Sequence, residues 1–413
     1  MISTYKRMIS IALSLLAGTG TIMAQQTMEI CVSNPSKTPR NDAPIVINLA
    51  PYGSVQSALV TCEEKEIPCQ LDDLDQDDTF DELCFLADLD SKQTKKYTVT
   101  LYPTGEPRSY LPRVFTEMAL RNSKVKDKNK QDNFISSVTV TKDCADSYHM
   151  QHHHGVDFES EYNGIRIYFD KRQTPDLYGK NKKRLELKET QFYTTKEQKE
   201  QGYGDDVLWV GNTFGLGAFR GWDGKAPALL DDVLFRTQRI ISYGPLRTIV
   251  EIEDKGWRAA ADKPRVRAII RYTQYAGHRD TQVDVIFKQN VNDYLFSTGI
   301  INVKGSEEFS DKKGLRACWG TAWPSNDTIN QKKETVGLGI CVPTPNIKQE
   351  IPATIDNYAF LIHIPNQQMR YYITYTSDNE EFGYHNAKDW FKYLKEWKKE
   401  LEIPIIISIQ QKE

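Results

Sequence analysis

The sequence predicts a mainly β protein, with a small N-terminal β-sandwich ahead of a larger β-sandwich unit that carries one C-terminal helix. Three observations lead there. The 413 residues hold 21 Tyr, 16 Phe and 7 Trp beside few Ala and Leu, and aromatic side chains suit a pleated, half-buried surface. Short apolar runs with period-two alternation, bounded by turn residues, recur along most of the chain. Helical periodicity stands out only once, near the C-terminus.

Residues 1–24 read as a secretory signal. Lys6 and Arg7 give the charged start, Met8–Leu16 the apolar stretch and Ile22-Met23-Ala24 a cleavage site. The apolar run is short for a membrane span and breaks at Gly18-Thr19-Gly20. The chain is therefore expected to be periplasmic or secreted, without a membrane span. Residues 25–105 alternate apolar runs and turns, as in Ala43–Leu49 and Tyr97–Leu101, and predict the N-terminal β-sandwich. Pro103-Thr104-Gly105-Glu106-Pro107 marks a boundary to the second unit at 106–413. There, strands are predicted at 136–142, 165–171, 233–241, 247–253, 266–276, 281–287, 296–303, 358–364, 370–376 and 403–409. Ile165, Ile167 and Phe169 share one face, with Arg166, Tyr168 and Asp170 on the other. The same pattern sets Arg265, Arg267 and Arg271 on the polar face of their strand. The helix is predicted over 386–400, with Trp390, Tyr393, Leu394 and Trp397 on one side, a lysine row on the wet side and Asn386 as its cap. The polar stretch 122–133 and the basic run 180–188 read as surface loops.

The net charge of −3 removes the sequence-wide basic field of a nucleic-acid binder. Of the seven cysteines, Cys62 and Cys69 are the nearest candidates for a disulfide across a hairpin, and buried small side chains are the alternative for most of them.

The densest chemistry lies in Tyr148-His149-Met150-Gln151-His152-His153-His154-Gly155. Clustered imidazoles can act as bases, carboxylate-binding groups or metal ligands. A solvated loop is the plain alternative. On an extended strand His152 and His154 would share a face opposite His153, and Gly155 would let backbone approach a ligand. A second group is the glycine-rich pair of loops around Trp209, Arg220, Trp222 and Asp223. Aromatic faces stack on sugar rings and Arg pairs with carboxylates, although tight turns with core tryptophans fit equally. His278, in Gly277-His278-Arg279-Asp280, is either a proton-transfer group or a hairpin residue. Asp73, Asp75, Asp77 and Asp81 alternate in an acidic loop and could wrap a calcium ion; Asp78 at the glycine position and Cys84 at the last ligand position count against it. No other cofactor is called for. The Gly-x-Ser-x-Gly elbow, His-Glu-x-x-His and dinucleotide-binding glycine patterns are absent.

The stretches His152–Glu161 and Arg166–Lys180, together with Asp205-Asp206-Val207-Leu208-Trp209 and Arg220-Gly221-Trp222-Asp223-Gly224, resemble an uncharacterised-domain family of exported Bacteroidetes proteins from polysaccharide-degrading gene clusters. The resemblance implies a galactose-mutarotase-like β-supersandwich behind a small β-domain, and an activity similar to oligosaccharide (ulvan-type) dehydratases acting on uronic acids. Elimination from a uronic acid needs a neutralised carboxylate, a base for the C5 proton and an acid for the leaving oxygen. The expected set is Arg220 or Lys171 on the carboxylate, His153 or His154 as base, Tyr178 or His278 as acid, and Trp209 and Trp222 as sugar platform. A glycoside hydrolase on the same scaffold, a mutarotase and a non-catalytic glycan-binding protein are the alternatives. The expected partner is an oligosaccharide; oligomeric state is left open.

Overall fold

The structure, a computed structural model, describes residues 25–142, 147–325, 327–329 and 331–411. The signal segment and Cys144 lie outside the described residues. The protein is mainly β, as its alternating sequence predicts. A nine-stranded antiparallel sheet runs in the order Ser137–Thr141, Phe235–Tyr243, Arg247–Trp257, Val266–Tyr275, Asp280–Phe287, Gln368–Ser377, Glu334–Cys341, Leu315–Ala322 and Glu307–Ser310. Two five-stranded sheets share one hydrophobic core with it. The first is built from Asp205–Asp206, Pro175–Gly179, Gly164–Tyr168, Gly155–Ser160 and Val114–Glu117; the second from Pro227–Ala228, Arg220–Trp222, Phe296–Ile301, Asn357–Ile362 and Ile347–Glu350. In Val266–Tyr275 the residues Val266, Ala268, Ile270 and Tyr272 enter that core, and in Asp280–Phe287 the residues Val283, Val285 and Phe287, which is what the alternation encodes.

The N-terminal residues make a five-stranded and a three-stranded sheet around a separate core. One strand of the larger sheet comes from the far end of the chain: Ile406–Gln411 pairs antiparallel with Gln26–Ser33. The sequence placed this strand in the second unit, because periodicity identifies a strand and not its partner. Cys62 and Cys69 are both free. The hairpin register sets Cys62 opposite Lys65, whereas Cys69 begins a strand in the facing three-stranded sheet.

The helix spans Ala387–Glu402, with the Asn386 side chain accepting from the Asp389 N–H. Trp390, Leu394 and Trp397 pack on the strands around Leu315 and Cys341. One lysine of the row expected to face water is buried: Lys398 Nζ lies 2.6 Å from Asp311 Oδ2 and bonds the Lys313 carbonyl. Two short helices, Leu187–Thr190 and Lys196–Glu200, interrupt the segment between strands Pro175–Gly179 and Asp205–Asp206. No helix among the described residues is long and apolar enough to cross a membrane.

The outer face of the nine-stranded sheet carries the arginines read from the sequence. Glu251 pairs in register with Arg239 and Arg271 and bonds both, at 2.6 and 2.8 Å. The N-terminal sandwich seats against this sheet through polar groups. Gln70 bonds Ser242 and the Arg247 backbone, and Asp72 forms an ion pair with Arg247 at 2.6 Å. Both partners of that pair are almost fully buried. Removing one partner of a buried pair costs about 3–5 kcal/mol, and for Asp72 the lower end of that range applies, because Arg247 keeps Glu82 at 2.7 Å. Asp72→Ala is therefore expected to lower unfolding stability by about that amount, read by denaturant titration; a loss below about 1 kcal/mol, typical of an exposed pair, would show that the seat does not depend on it.

Candidate functional site: a histidine-ended cleft over a buried charged row

Strand Gly155–Ser160 lies between Gly164–Tyr168 and Val114–Glu117, and the register puts Asp157 opposite both Arg166 and Glu117. Arg166 in turn stands opposite Asp176. Directly paired residues project to the same side of a sheet. Glu117, Asp157, Arg166 and Asp176 therefore form a row of ionisable side chains across it, while Val156, Phe158, Ile165, Ile167 and Leu177 fill the core behind. The row is buried, although alternation sets Arg166 on the polar face of its strand, opposite the core residues. Arg166 bonds Asp176 Oδ2 through Nε and Nη2, at 2.9 and 2.6 Å, and reaches Asp206 Oδ2 at 3.1 Å. The ring of Phe192 covers its guanidinium at 4.3 Å.

The histidine stretch folds as two tight turns, Tyr148–Met150 and His152–His154. His153 and His154 take left-handed backbone angles, φ 38° and 73°, which reverses the direction of successive side chains. His153 consequently turns inward and is fully buried. Its Nε2 lies 3.3 Å from Asp157 Oδ2 and 3.7 Å from Glu117 Oε1. Gly155 serves packing: a Cβ there would stand 1.8 Å from the Ile167 carbonyl oxygen. The close approach is thus to a neighbouring strand, not to a ligand.

His152 and His154 line a cavity of about 380 Å³ with Arg121, Lys126, Lys128 and Tyr193. Lys126, Lys128 and Tyr193 also line a second cavity of about 730 Å³, which continues through Lys199 and Asp205 into a third of about 600 Å³ beside Asp206. The three adjoin as one cleft: cations line its histidine end, whereas Asp127, Glu197 and Asp205 join the wall farther along, where Lys199 is ion-paired with Asp205. His154 stacks on Tyr168 with ring centroids 5.8 Å apart. Burial, seconded by the charge of Arg166, lowers His154 to about 3; burial and neighbouring His153 do the same for His152. Both imidazoles are therefore neutral at ordinary pH. At the other end, burial and the charge of Asp176 hold the Asp206 carboxyl well above the usual carboxylate range despite Arg166.

The other residues singled out in the sequence lie elsewhere. Tyr178 is buried, and its hydroxyl already bonds Glu186, Thr194 and the Gly204 carbonyl. Arg220 is 2% exposed and bonds Thr174 Oγ1 and the Thr213 carbonyl; burial lowers it to about 10. Lys171 and Trp222 line none of the three cavities, and Trp222 sits in the second five-stranded sheet. Trp209 is 57% exposed, and its backbone N–H donates to the Trp323 carbonyl beside Pro324 at the third cavity. Lys180, assigned to a surface loop, is fully buried: Nζ bonds Glu159 Oε2 at 2.5 Å and the Ser160 and Arg184 carbonyls. Of the acidic loop, Asp73, Asp75 and Asp81 bring carboxylate oxygens within 4.8 Å of one another, while Asp77 accepts from the Thr79 N–H. Sequence reading missed Glu117, Asp157, Arg121, Lys128, Tyr193 and Asp206. Asp157 had a signal, an acid alternating with apolar residues directly after the histidines; Arg121, Lys128 and Tyr193 carry no motif.

These features define a β-sandwich-rich protein with a cleft whose basic end carries neutral histidines. The chain belongs to the family described as Domain of unknown function (DUF4861), which matches residues 32–407. No curated protein matches it. Among solved structures it is similar to an alpha-mannosidase from Enterococcus faecalis V583, at 7% identity and a TM-score of 0.45, over 94% of this chain and 46% of that one. It is also similar to a protein in the Glycosyl Hydrolase Family 38 from Enterococcus faecalis, at 6% identity and 0.44, over 94% and 48%. The chain spans about half the length of each.

His278 packs where the N-terminal sandwich meets the larger unit. Its Nδ1 lies 3.2 Å from Asp280 Oδ1 and its Nε2 2.9 Å from the Asp42 carbonyl, with Glu400 the nearby second acid. Burial opposes the charged ring, but the Asp280 hydrogen bond and charge outweigh it and raise His278 above its ordinary value. A raised value means the fold favours the protonated ring. That contribution is complete below about 6.5, the free value, and disappears as pH climbs through the folded one. His278→Gln is expected to flatten the fall in thermal stability above neutral pH; an unchanged profile would remove His278 from this role.

Proposed function

We propose that the protein is an exported carbohydrate-active enzyme of the carbon–oxygen lyase type, a dehydratase or β-eliminating lyase, acting on uronic-acid-containing oligosaccharides. One observation carries the reading: an extended cleft places cations and neutral imidazoles together at its histidine end. Its volume lies in the range of small-ligand sites, and its charge complements a uronate. Export rests on the signal-like residues 1–24.

The cleft supplies each part that elimination needs. Arg121 and Lys128 would pair with the carboxylate, which makes the C5 proton more acidic. His154 would take that proton as base. The C5–H electrons become the C4=C5 bond as C4–O breaks, and the leaving oxygen takes a proton from Tyr193. His153, Tyr178, His278 and Arg220 fall outside this set, because each is enclosed or bonded elsewhere. A second reading, glycoside hydrolysis, is favoured by Asp206, whose raised carboxyl lines the third cavity as a general acid would.

Mixing the protein with a panel of oligouronides is expected to produce ultraviolet absorbance from the conjugated double bond, with product masses showing loss of water or a cleaved linkage. His154→Ala is expected to lower the rate about 10²–10⁴-fold with thermal stability retained. New reducing ends without absorbance would favour hydrolysis. No change in any panel member would remove the enzymatic reading.

A further inference from the structure

We propose that Glu117 Oε1, His153 Nε2 and Asp157 Oδ2 form a binding site for one divalent transition-metal ion, Zn²⁺ or Mn²⁺ in character, set directly behind the histidine end of the cleft. The three atoms come from two neighbouring strands and the turn that precedes one of them, and all lie within 4.8 Å of one another. Each residue is more than nine-tenths buried, and none of the three atoms has a hydrogen-bond partner. Buried polar atoms are nearly always satisfied. Three converging orphans, all of them electron-pair donors, imply a shared occupant that accepts electron pairs.

The distances separate a cation from a hydrogen bond. His153 Nε2 stands 3.3 and 3.7 Å from the two carboxylate oxygens, beyond the usual 2.7–3.2 Å of an N–H···O bond. Donors held about 2.1 Å from one ion at tetrahedral angles stand about 3.4 Å apart. One imidazole with two carboxylates suits a borderline cation better than the all-oxygen shells of calcium or magnesium. Three protein ligands also leave a coordination position for water. The ion's structural role follows from its place. Binding His153 fixes the left-handed turn, and with it the neighbouring His152 and His154 that face the cleft.

The site stands independently of any activity assigned to the cleft, since it is read without substrate. Full-length protein, stripped with chelator and titrated with Zn²⁺ or Mn²⁺, is expected to take up one equivalent by calorimetry and elemental analysis, and to unfold at higher temperature. Asp157→Asn, which keeps the side-chain shape, is expected to lose both effects, and His149→Ala, on an exposed histidine, to keep them. Co²⁺ bound to the wild-type chain is expected to give the intense visible bands of low coordination, so the test survives a variant that fails to fold. Absence of stoichiometric uptake, a spectrum of hexahydrated Co²⁺, or equal uptake by Asp157→Asn would each overturn the site.

Discussion

The register of one five-stranded sheet forces four ionisable side chains into a single buried row, and the functional face is assembled on that constraint. Once Asp157 stands opposite Glu117 and Arg166, and Arg166 opposite Asp176, no side chain can leave the row without shifting its strand by one residue. A slip would drive Val156, Ile165 and Ile167 out of the core. Apolar burial on one face thus holds charges in place on the other. Isolated buried charges would be prohibitive. Arg166 answers this with several bonds to two carboxylates and a face of Phe192 over its guanidinium. The segment carrying the two short helices can lie down over the Arg166 end of the row because Arg166, Asp176 and Asp206 are already paired.

A second buried pair anchors the same segment. Glu159 accepts the N–H groups of Glu186 and Leu187 while Lys180 holds its other side. Glu186 then bonds the Tyr178 hydroxyl and the Gly204 N–H. These bonds tie residues 180–206 to the sheet at both ends of the segment. Tyr193, Lys199 and Asp205, which line the cleft, all come from this tied stretch. The opposite wall, Arg121 to Lys130, joins it through the Gln191 side-chain amide, which accepts from the Gln131 N–H and donates to the Gln131 carbonyl.

Much of this molecule was legible in the alternation of its sequence. Every strand predicted in the second unit is a strand, and the helix begins at the expected cap. Alternation reports which residues share a face; it does not report what covers that face. For that reason Arg166 and Asp170 read only as a polar face, Lys180 and Lys398 looked like surface lysines, and the last strand was assigned to the wrong neighbourhood. The histidines illustrate the same limit. His152 and His154 do face one cavity with His153 turned away, as an extended strand would give, but the cause is a left-handed turn at His153 and His154. Tyr178 and Arg220 were chosen for their chemistry, and their hydroxyl and guanidinium are consumed by structural bonds that only the tertiary fold brings to them.

The charge balance of the cleft follows from where the acids are. The chain is slightly acidic overall, at −3, yet Arg121, Lys126 and Lys128 define the wall at the histidine end. Asp127, Glu197 and Asp205 offset the cations farther along, in the second cavity; behind the histidine end the nearest acids are Glu117 and Asp157. Two carboxylates with a dication sum to zero before the imidazole is counted. With that ion bound the ground behind His152 and His154 is close to neutral. The cations in front therefore act on a bound anion without opposition from the back wall, and a low-dielectric surround strengthens that action. Asp206 sits at the far end, where Arg166 and the covering segment separate it from the histidines. A cleft arranged in this way draws a negative group toward its histidine end and leaves the carboxyl end to a neutral portion of the same ligand.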